Sequence, residues 1–350
     1  MKIGIIGGSG YTGGELLRLL LLHPNVEVTA VVSRTHAGSY VFKSHPNLRK
    51  QTMLKFMPLD LSKLKKNCDL VFTATPHGAT LNLVSNLLET GIKVIDMSAD
   101  FRLKTASDYE KWYGWKHSKP ELLKDSVYGL PELHREQIRS SHLIACPGCM
   151  ATAAILALAP IVSRDFIYKD KIVVDVKVGS SGSGSTPTLA SHHPERFGGV
   201  RAYNVYDHRH IAEIEQELKS FSDDPIIVSF TPHSVNMVRG ILATIHLFLK
   251  QDLQIPEIWR LYRGFYRDEP FIRIIRENQG IYRLPNSNLV IGSNFCDIGF
   301  ELDSRTKRMI LFSAIDNLIK GAAGQAIQCL NILLGIDQRT GLEAQGFHPM

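Results

Sequence analysis

The 350-residue sequence lacks the features of several protein classes. No uninterrupted apolar run approaches the ~18 residues that a membrane-spanning helix needs. The first residues lead from an apolar run directly into glycines, which predicts a buried strand and not a cleavable signal. Internal repeats, low-complexity tracts and the arginine–aromatic stripes of nucleic-acid binders are also missing. We therefore expect a cytoplasmic globular protein that binds neither membranes nor nucleic acid.

Cysteine is scarce, with five residues at irregular intervals. Only Cys146 and Cys149 form a C-x-x-C pair, whereas a four-ligand zinc site needs a second such pair or clustered histidines. We therefore expect no bound metal, and scattered thiols indicate a reducing compartment. Packed core thiols and a redox dithiol are the alternatives for this pair.

Cys149 follows a Pro-Gly turn and immediately precedes a run of small residues typical of a helix. A thiol in the first turn of a helix is close to unpaired backbone N–H groups and to the positive end of the helix dipole. Both favour the thiolate, which is the form that attacks carbonyl carbons. We predict that Cys149 is a nucleophile and that Cys146 lies outside this turn.

Charge and composition set broad limits on the protein class. Hydrophobic residues make up 44% of the chain and charged residues 21%, as in soluble globular proteins. The length is sufficient for two domains with separate cores. The formal net charge of +6 is compatible with an acidic partner or substrate, although solvated surface lysines would give the same value.

A glycine-rich turn follows the first apolar run. Gly8, Gly10 and Gly13 match G-x-G-x-x-G, and Gly7, Gly10 and Gly13 match the related G-x-x-G-x-x-G. The run before the turn has the composition of a strand, and a leucine-rich helical stretch follows it. This order of strand, turn and helix predicts a dinucleotide site with the pyrophosphate at the helix N-terminus.

An acidic residue is missing from the end of the second predicted strand, residues 26–32. The chain continues there with Ser33, Arg34, Thr35 and His36. The carboxylate that binds a ribose 2′-hydroxyl in NAD sites is therefore absent, and Arg34 stands where a 2′-phosphate would lie. This pattern favours NADP over NAD, although a surface arginine in a loop is the alternative.

Predicted strands alternate with helices over the first ~150 residues, which favours a parallel, doubly wound sheet. A mixed α/β domain follows, and its first strand leads into the Gly/Ser-rich loop 179–185. We interpret this loop as backbone that approaches a ligand closely, and not as a flexible linker. A helix predicted at 313–335 returns to the first domain, so the domains are placed at 1–148 and 149–312.

Several segments in this order resemble one family over nearly the whole chain, the N-acetyl-γ-glutamyl-phosphate reductases, which are related to aspartate-semialdehyde dehydrogenase. The segments are the glycine turn 7–13, Pro147-Gly148-Cys149, the loop 179–184, His208-Arg209-His210 with the following helix, Pro232-His233 with Arg239-Gly240, and Gly292-Ser293-Asn294. The fold that this implies is an α/β protein with an N-terminal Rossmann NADP-binding domain and an α/β catalytic domain that also makes subunit contacts, of the semialdehyde dehydrogenase type. The segment 191–196 resembles the subgroup that acts on substrates tethered to a small acidic amino-group carrier protein.

The resemblance also implies a mechanism. The Cys149 thiolate attacks an acyl phosphate and expels phosphate, and NADPH reduces the resulting thioester to a semialdehyde. A histidine shuttles the proton; we prefer His210 and keep His208 as a substrate contact, with metal binding or helix capping as alternatives. Candidate substrate-binding residues are Ser181, Gly182, His192 and Arg239. The residues expected to hold NADP(H) are Gly7, Ser9, Gly10, Tyr11, Thr12, Gly13, Ser33, Arg34, Thr35, His36 and Asn317.

The predicted function is therefore NADPH-dependent reduction of a carrier-bound γ-glutamyl or α-aminoadipyl phosphate in lysine or arginine biosynthesis. Alternatives are a reductase of free N-acetyl-γ-glutamyl phosphate, a β-aspartyl-phosphate reductase, and a non-catalytic NADP-sensing regulator. The two carrier-bound substrates differ by one methylene, which a pocket discriminates by only ~1–3 kcal/mol. The expected partners are the acidic carrier protein and further copies of the chain, as a dimer or tetramer.

Overall fold

The computed structural model describes residues 1–275, 277 and 279–349 and divides into two compact units. The first unit comprises Met1–Pro147 and Ala322–Glu343. The second comprises Gly148–Gly321 and the C-terminal residues from Ala344. Among the described residues, no helix combines the length and the apolar composition needed to cross a membrane.

The first unit contains a parallel six-stranded sheet, as the alternation of strands and helices predicts. Its strands are β1 (Lys2–Ile6), β2 (Glu27–Val32), β3 (Leu70–Thr73), β4 (Lys93–Asp96), β5 (Ser126–Tyr128) and β6 (Leu143–Ala145). They lie in the order β2-β1-β3-β4-β6-β5, and every neighbouring pair is parallel. The order reverses direction at β1, so a crevice opens at the carboxyl ends of β1 and β3, where dinucleotides bind in such sheets.

The helices of the first unit connect these strands. They are α1 (Tyr11–Leu20), α2 (Val41–Ser44), α3 (Leu61–Asn67), α4 (Leu81–Glu89), α5 (Ala106–Tyr113) and α6 (Pro131–Ser140), with 3₁₀ turns at Pro46–Leu48 and Pro120–Leu123. The α1 helix buries Leu16, Leu17 and Leu20, which lie three and four residues apart on one face. This spacing fixes the helix against the sheet with its N-terminus at the glycine turn.

The second unit contains a mixed seven-stranded sheet. Its strands are β7 (Ile172–Val178), β8 (Arg201–Ala202), β9 (Val228–Ser234), β10 (Ile241–Phe248), β11 (Ile272–Ile274), β12 (Cys296–Asp303) and β13 (Arg308–Ile315). Their order is β11-β12-β13-β10-β7-β9-β8. Alternate residues of β7 and β10 are fully buried and half-buried, so one face of the sheet forms the core of this unit.

Four helices belong to the second unit. They are α7 (Cys149–Val162), α8 (His193–Arg196), α9 (His210–Leu218) and α10 (Ile255–Phe265), with 3₁₀ turns at Ser180–Ser183, Leu189–Ser191, Lys219–Phe221 and Ser287–Val290. The α7 helix is apolar on all sides and is buried from Met150 to Val162. A helix of this composition is stable only inside a core, which holds its first residue, Cys149, in a fixed position.

The prediction of a helix at 313–335 is wrong for the first half of this range. Residues up to Ile315 belong to β13, which pairs with both β10 and β12. A turn and a π-helical segment, Ile319–Ala323, follow before the regular helix α11 (Gly324–Leu333) begins. The small, apolar residues of the segment fit strand and helix equally well, and long-range pairing with two strands decides in favour of the strand. The α11 helix belongs to the first unit, where it packs on α6.

Candidate active site

Cys149 is the first residue of α7, as predicted. Gly148 is the N-cap residue, and no side chain caps this end of the helix. The first turn also lacks an acidic residue, so the positive end of the helix dipole favours a thiolate at this position. Cys149 is partly exposed, whereas Cys146 is buried and lies before the helix. The exposure and position of Cys149 therefore make it, and not Cys146, the candidate nucleophile.

His210 and Glu213 pack against the turn that precedes Cys149. A Cβ atom on Gly148 would lie 2.2 Å from Nε2 of His210, so only glycine allows the imidazole to approach this closely. The Gly148 N–H donates to Oε2 of Glu213 at 2.8 Å, and Oε1 of Glu213 lies 3.8 Å from Nε2 of His210. Glu213 is completely buried, so its carboxylate acts on the turn and on the imidazole with little screening by water.

His208 lies beside His210 with a ring-to-ring distance of 4.6 Å. Its Nδ1 accepts a hydrogen bond from the backbone N–H of His210 at 3.2 Å. Burial, and secondarily the charge of Arg209, lower the pKa of His208 to about 4. His208 is therefore neutral at physiological pH, with its proton on Nε2.

Tyr203 completes this side of the site. Its ring lies 6.0 Å from the ring of His208. Burial, followed by the negative charge of an ionised Cys149, raises the pKa of Tyr203 to about 12. The hydroxyl is therefore protonated and can donate a hydrogen bond in the site. Tyr203 and Glu213 were not predicted as site residues, although Glu213 stands three residues after His210 on the same helix.

Arg239 is held by a buried carboxylate. Its Nε donates to Oδ2 of Asp316 at 3.1 Å, its Nη2 forms an ion pair with the same oxygen at 2.8 Å, and that oxygen also accepts the Gly292 N–H at 2.8 Å. Asp316 also accepts the N–H of Leu318 through Oδ1, which anchors the turn after β13. The guanidinium is fixed at one edge and about a quarter exposed, so it can still bind an anion.

Asn317 connects the Gly/Ser loop to the start of β10. Its Oδ1 accepts from the Gly240 N–H at 2.8 Å, and its Nδ2 donates to Oγ of Ser181 at 2.9 Å. Asn317 lies in the turn between β13 and the π-helical segment, and not on a helix as predicted. Gly182 follows Ser181 and is exposed, and His192 is exposed in the segment that follows. Ser181, Asn317 and Arg239 are thus brought together, whereas His192 has no contact with them in the described structure.

The glycine turn of the first unit has the geometry of a phosphate cradle. Gly7 has a φ of +84°, and a Cβ on Gly13 would lie 2.5 Å from the carbonyl oxygen of Gly7, so both glycines are required by the fold. At Gly10, by contrast, the nearest atom to such a Cβ is 3.7 Å away. Gly10 caps α1, whose first turn has neither a side-chain cap nor an acidic residue. This open N-terminus fits a pyrophosphate.

Ser33 to His36 lie beside this cradle at the carboxyl end of β2. Oγ of Ser9 lies 2.9 Å from Oγ of Ser33, which joins the glycine turn to the second turn. Thr35 contacts the His36 ring, and Arg34 is exposed. The predicted nucleotide residues Gly7, Ser9, Gly10, Tyr11, Thr12, Gly13, Ser33, Arg34, Thr35 and His36 therefore form one continuous rim.

Two supports of the nucleotide site were not predicted. Nε2 of His45 donates to the carbonyl oxygen of Gly8 at 2.7 Å, and this hydrogen bond fixes the glycine turn. Asp100 accepts the N–H groups of Gly78 and Thr80, which holds the loop after β3. Neither residue has a sequence signal of its own, since each contact joins segments more than 19 residues apart.

Comparison with known proteins identifies the family. The family model described as the semialdehyde dehydrogenase NAD binding domain matches residues 2–141. The model described as the semialdehyde dehydrogenase dimerisation domain matches residues 149–317. The chain belongs to the semialdehyde dehydrogenase family. As a member of this family it is an oxidoreductase with a Rossmann nucleotide domain, and the predicted fold class is confirmed.

The curated relatives include reductases named for protein-bound substrates. The LysW-L-2-aminoadipate/LysW-L-glutamate phosphate reductase of Saccharolobus solfataricus is 49% identical over 100% of this chain and 99% of its own. The reductase of the same name from Sulfurisphaera tokodaii has the same identity and coverage. A Nitrosopumilus maritimus protein, 51% identical over the full length of both chains, carries this name as a provisional assignment. The predicted subgroup of the family is confirmed.

Solved structures share the fold at low sequence identity. Aspartate semialdehyde dehydrogenase II from Vibrio cholerae has a TM-score of 0.71 at 18% identity, covering 95% of this chain and 98% of its own. The Candida albicans aspartate semialdehyde dehydrogenase, solved with NADP, has a TM-score of 0.70 at 17% identity with the same coverage. These similarities extend through both units of the chain.

Proposed function

We propose that this protein is an NADPH-dependent reductase that converts a carrier-protein-bound γ-glutamyl or α-aminoadipyl phosphate to its semialdehyde. The observation that carries the proposal is the position of Cys149 as the first residue of α7, next to a turn on which His210 and Glu213 are packed. The names of the full-length relatives supply the substrate class, since they specify acyl groups attached to LysW. The reaction belongs to lysine or arginine biosynthesis.

Cys149 is the proposed nucleophile. The Cys149 thiolate attacks the carbonyl carbon of the acyl phosphate, and the tetrahedral adduct collapses as the C–O bond to phosphate breaks. Inorganic phosphate leaves with the bonding electron pair, and the acyl group remains on sulfur as a thioester. The N–H groups of the first turn of α7 stabilise the thiolate before this step.

The rim of the first unit is the proposed NADP(H) site. The open N-terminus of α1 binds the pyrophosphate through its N–H groups, and Arg34 binds the 2′-phosphate. Bound there, NADPH supplies the hydride that reduces the thioester. Asn317, which sequence analysis assigned to the same cofactor, has both of its amide atoms engaged with Ser181 and Gly240.

His210 is the proposed acid–base group. Its imidazole lies against the turn before Cys149, and the carboxylate of Glu213 stabilises the imidazolium form. A protonated His210 can give its proton to the oxygen of the reduced adduct or to the departing sulfur, and regain it from water. His208, which is held neutral, is the proposed hydrogen-bond donor to the substrate through Nε2.

Arg239, Ser181 and Gly182 are the proposed anion-binding group of the second unit. The fixed guanidinium of Arg239 supplies a charge with two donor atoms, as phosphate recognition requires. His192 is included in this group because the sequence predicts it as a substrate contact. Its side chain is exposed. The net charge of +6 favours encounter with an anionic, protein-bound substrate.

The proposed assembly is a homo-oligomer acting in the cytoplasm with a small acidic carrier protein. The second face of the seven-stranded sheet carries half-buried residues, among them Leu242, Thr244 and His246 of β10. A sheet face of this kind fits a subunit contact in the segment matched by the dimerisation model. All five cysteines are thiols, which fits a reducing compartment.

The deciding experiment is phosphate-dependent reduction of NADP with two semialdehydes, one attached to the carrier protein and one free as its N-acetyl derivative. We expect at least a 100-fold higher kcat/KM for the carrier-bound compound. Equal or higher activity on the free compound would instead assign the protein to free N-acetyl-γ-glutamyl phosphate. Inactivity on both, with NADPH binding retained, would contradict the reductase function.

A further inference from the structure

The residues after Glu343 pack on a loop of the second unit. Residues 344–349 belong to this unit, whereas the segment before them, Ala322–Glu343, belongs to the first. The loop comprises residues 287–292 and begins with the 3₁₀ turn Ser287–Val290. Phe347 is 62% exposed, so it contributes little to the core of the unit.

Gly346 and Phe347 contact the backbone of the 287–292 loop. A Cβ atom on Gly346 would overlap the carbonyl oxygen of Leu289, so only glycine packs this closely on the loop. The N–H of Phe347 donates to the carbonyl oxygen of Ile291 at 3.3 Å. These two contacts fix the backbone that carries the Phe347 ring.

The Phe347 ring covers Gly292. Gly292 has a φ of +86°, and a Cβ at this position would lie 2.7 Å from Cε2 of Phe347, so the ring occupies the place of a side chain. Gly292 is half-buried, whereas Ile291 and Ser293 on either side of it are buried. The ring therefore shields the part of the loop that water can reach, and it restricts a residue whose own φ and ψ are only weakly restricted.

Gly292 is also the residue of this loop that binds the carboxylate of Asp316. Its N–H donates to Oδ2 of Asp316 at 2.8 Å, and the same oxygen forms the ion pair with Arg239. Asp316 is completely buried. A hydrogen bond to a carboxylate is stronger where water is excluded, so shielding of Gly292 stabilises the group that fixes Arg239.

The loop approaches Arg239 by a second route. Gly240, the next residue, has a φ of +107°, and a Cβ on it would lie 3.0 Å from the Cβ of Ser287 in the loop. The loop thus contacts both the backbone after Arg239 and the carboxylate that holds its guanidinium. The position of the guanidinium depends on the position of the loop.

We propose that Phe347 is a positioning residue for Arg239. Its ring holds the Gly292 N–H on Asp316, and Asp316 then keeps the guanidinium oriented for an anion of the substrate. The inference rests on the proposed function, in which Arg239 belongs to the anion-binding group. A purely structural role of Phe347 is the competing explanation, and it predicts lower stability without a selective loss of anion binding.

The test uses Phe347→Ala in the full chain, with Phe347→Tyr as the conservative variant that keeps a ring over Gly292. The matched control is Leu22→Ala, which truncates an apolar side chain that is 74% exposed in the first unit. Phosphate-dependent reduction of NADP is measured with the carrier-bound semialdehyde, in the wild-type and Arg239→Gln backgrounds. Urea unfolding compares the stability of the variants.

A chemical readout does not depend on activity. Phenylglyoxal modifies guanidinium groups, and a guanidinium fixed on a buried carboxylate should react slowly. Mass spectrometry of the peptide that contains Arg239 gives its rate of modification. We expect this rate to rise at least three-fold in Phe347→Ala and to stay at the wild-type value in Phe347→Tyr and Leu22→Ala.

We expect Phe347→Ala to raise, at least five-fold, the KM that Arg239→Gln also raises, whether this is the KM for phosphate or for the semialdehyde. The kcat and the KM for NADP should stay within two-fold, and the urea unfolding curve should not change. Phe347→Tyr should restore the wild-type KM. In the Arg239→Gln background, Phe347→Ala should have no further effect, because both changes act through one guanidinium.

An unchanged KM and an unchanged modification rate in Phe347→Ala, with an active wild type, would overturn this proposal alone. An equal increase in KM in both backgrounds would also overturn it, since Phe347 would then act independently of Arg239. Wild-type inactivity on both the carrier-bound and the free semialdehyde would contradict the proposed function. In that case the phenylglyoxal rates still decide whether Phe347 positions Arg239.

Discussion

At the residue scale, the chemistry of the second unit depends on what surrounds Cys149. Gly148 provides no side-chain cap to α7 and leaves space for the His210 ring, and Glu213 fixes the turn through the Gly148 N–H. Each of these contacts would be lost with a single substitution. In the proposed mechanism, the reactivity of the Cys149 thiol therefore depends on these surroundings.

Cys149→Ser should reduce the rate of turnover by at least 1,000-fold, because a hydroxyl at this position is not ionised near pH 7. NADPH binding should be unchanged, since Cys149 does not belong to the nucleotide rim. The measurements are steady-state kinetics and NADPH titration by fluorescence. Cys146→Ser is the matched control and should retain most of its activity; an inactive Cys146→Ser with an active Cys149→Ser would move the nucleophile to Cys146.

Sequence was sufficient for the positions of residues that depend on local structure. Cys149 and the glycines of the nucleotide turn were predicted because a turn followed by a helix is a local pattern. Glu213, Asp316 and His45 could not be predicted, since their partners Gly148, Arg239 and Gly8 are distant in the chain. Pairings of this kind exist only after the sheets have formed.

At the element scale, the three glycines of the turn before α1 fall into two groups: two are required by backbone packing and one is not. Gly7 and Gly13 allow the backbone to pack on itself, whereas Gly10 has space for a side chain and faces the open end of α1. A glycine that the packing does not require is best explained by a ligand that approaches the backbone.

Gly10→Ala should weaken NADPH binding at least 10-fold while the free energy of unfolding stays near that of the wild type, because the added methyl group meets only the ligand. Gly13→Ala is the matched variant and should lower the free energy of unfolding by about 1–3 kcal/mol, because its Cβ would overlap the Gly7 carbonyl. NADPH titration and urea unfolding measure the two effects. Unchanged NADPH affinity in Gly10→Ala would contradict pyrophosphate binding at this turn.

Elements with a strong hydrophobic pattern in the sequence were predicted. Elements whose type is decided by pairing between distant strands were not. The strand β2, predicted at residues 26–32, agrees with the structure within one residue. Residues 313–315 were assigned to a helix because their composition is neutral between strand and helix. Only β10 and β12, on either side of β13, make them a strand.

At the scale of the whole molecule, one buried group in each unit contributes to stability with an opposite dependence on pH. In the first unit, burial, and secondarily Asp100, raises the pKa of Asp96 to about 6. The native state binds more protons there than the unfolded state, so this contribution to stability is lost as the pH rises through 6. In the second unit, His208 has a lowered pKa, and the native state binds fewer protons than the unfolded state between pH 4 and 6.5.

The His208 contribution predicts that stability falls as the pH decreases from 6.5 towards 4. His208→Gln should remove this loss, so the wild type should lose more free energy of unfolding than the variant between pH 7.5 and 5, by up to about 2 kcal/mol. Urea unfolding at the two pH values measures this difference. Equal losses in both proteins would show that His208 titrates normally. His36→Gln, at an exposed position, is the control.

The existence of two units and their chemical character followed from the order of the motifs. Domains at 1–148 and 149–312, with a helix at 313–335 that returns to the first domain, were predicted, whereas the structure places Ala322–Glu343 in the first unit and residues 148–321 in the second. The resemblance to a family was needed to assign roles to His208 and His210, since spacing alone does not distinguish a proton shuttle from a helix cap.

The interrupted first unit has a consequence for synthesis on the ribosome. Residues 1–147 emerge first, but Ala322–Glu343, with the buried helix α11, emerge only after 174 further residues (148 to 321). At translation rates of roughly 5–20 residues per second, α11 is synthesised on the order of 10–35 s after the last strand of the six-stranded sheet. During that interval the apolar surface under α11 is open, as in the nascent chains that chaperones bind, and the second unit, which is almost continuous in sequence, is the first that can complete its core.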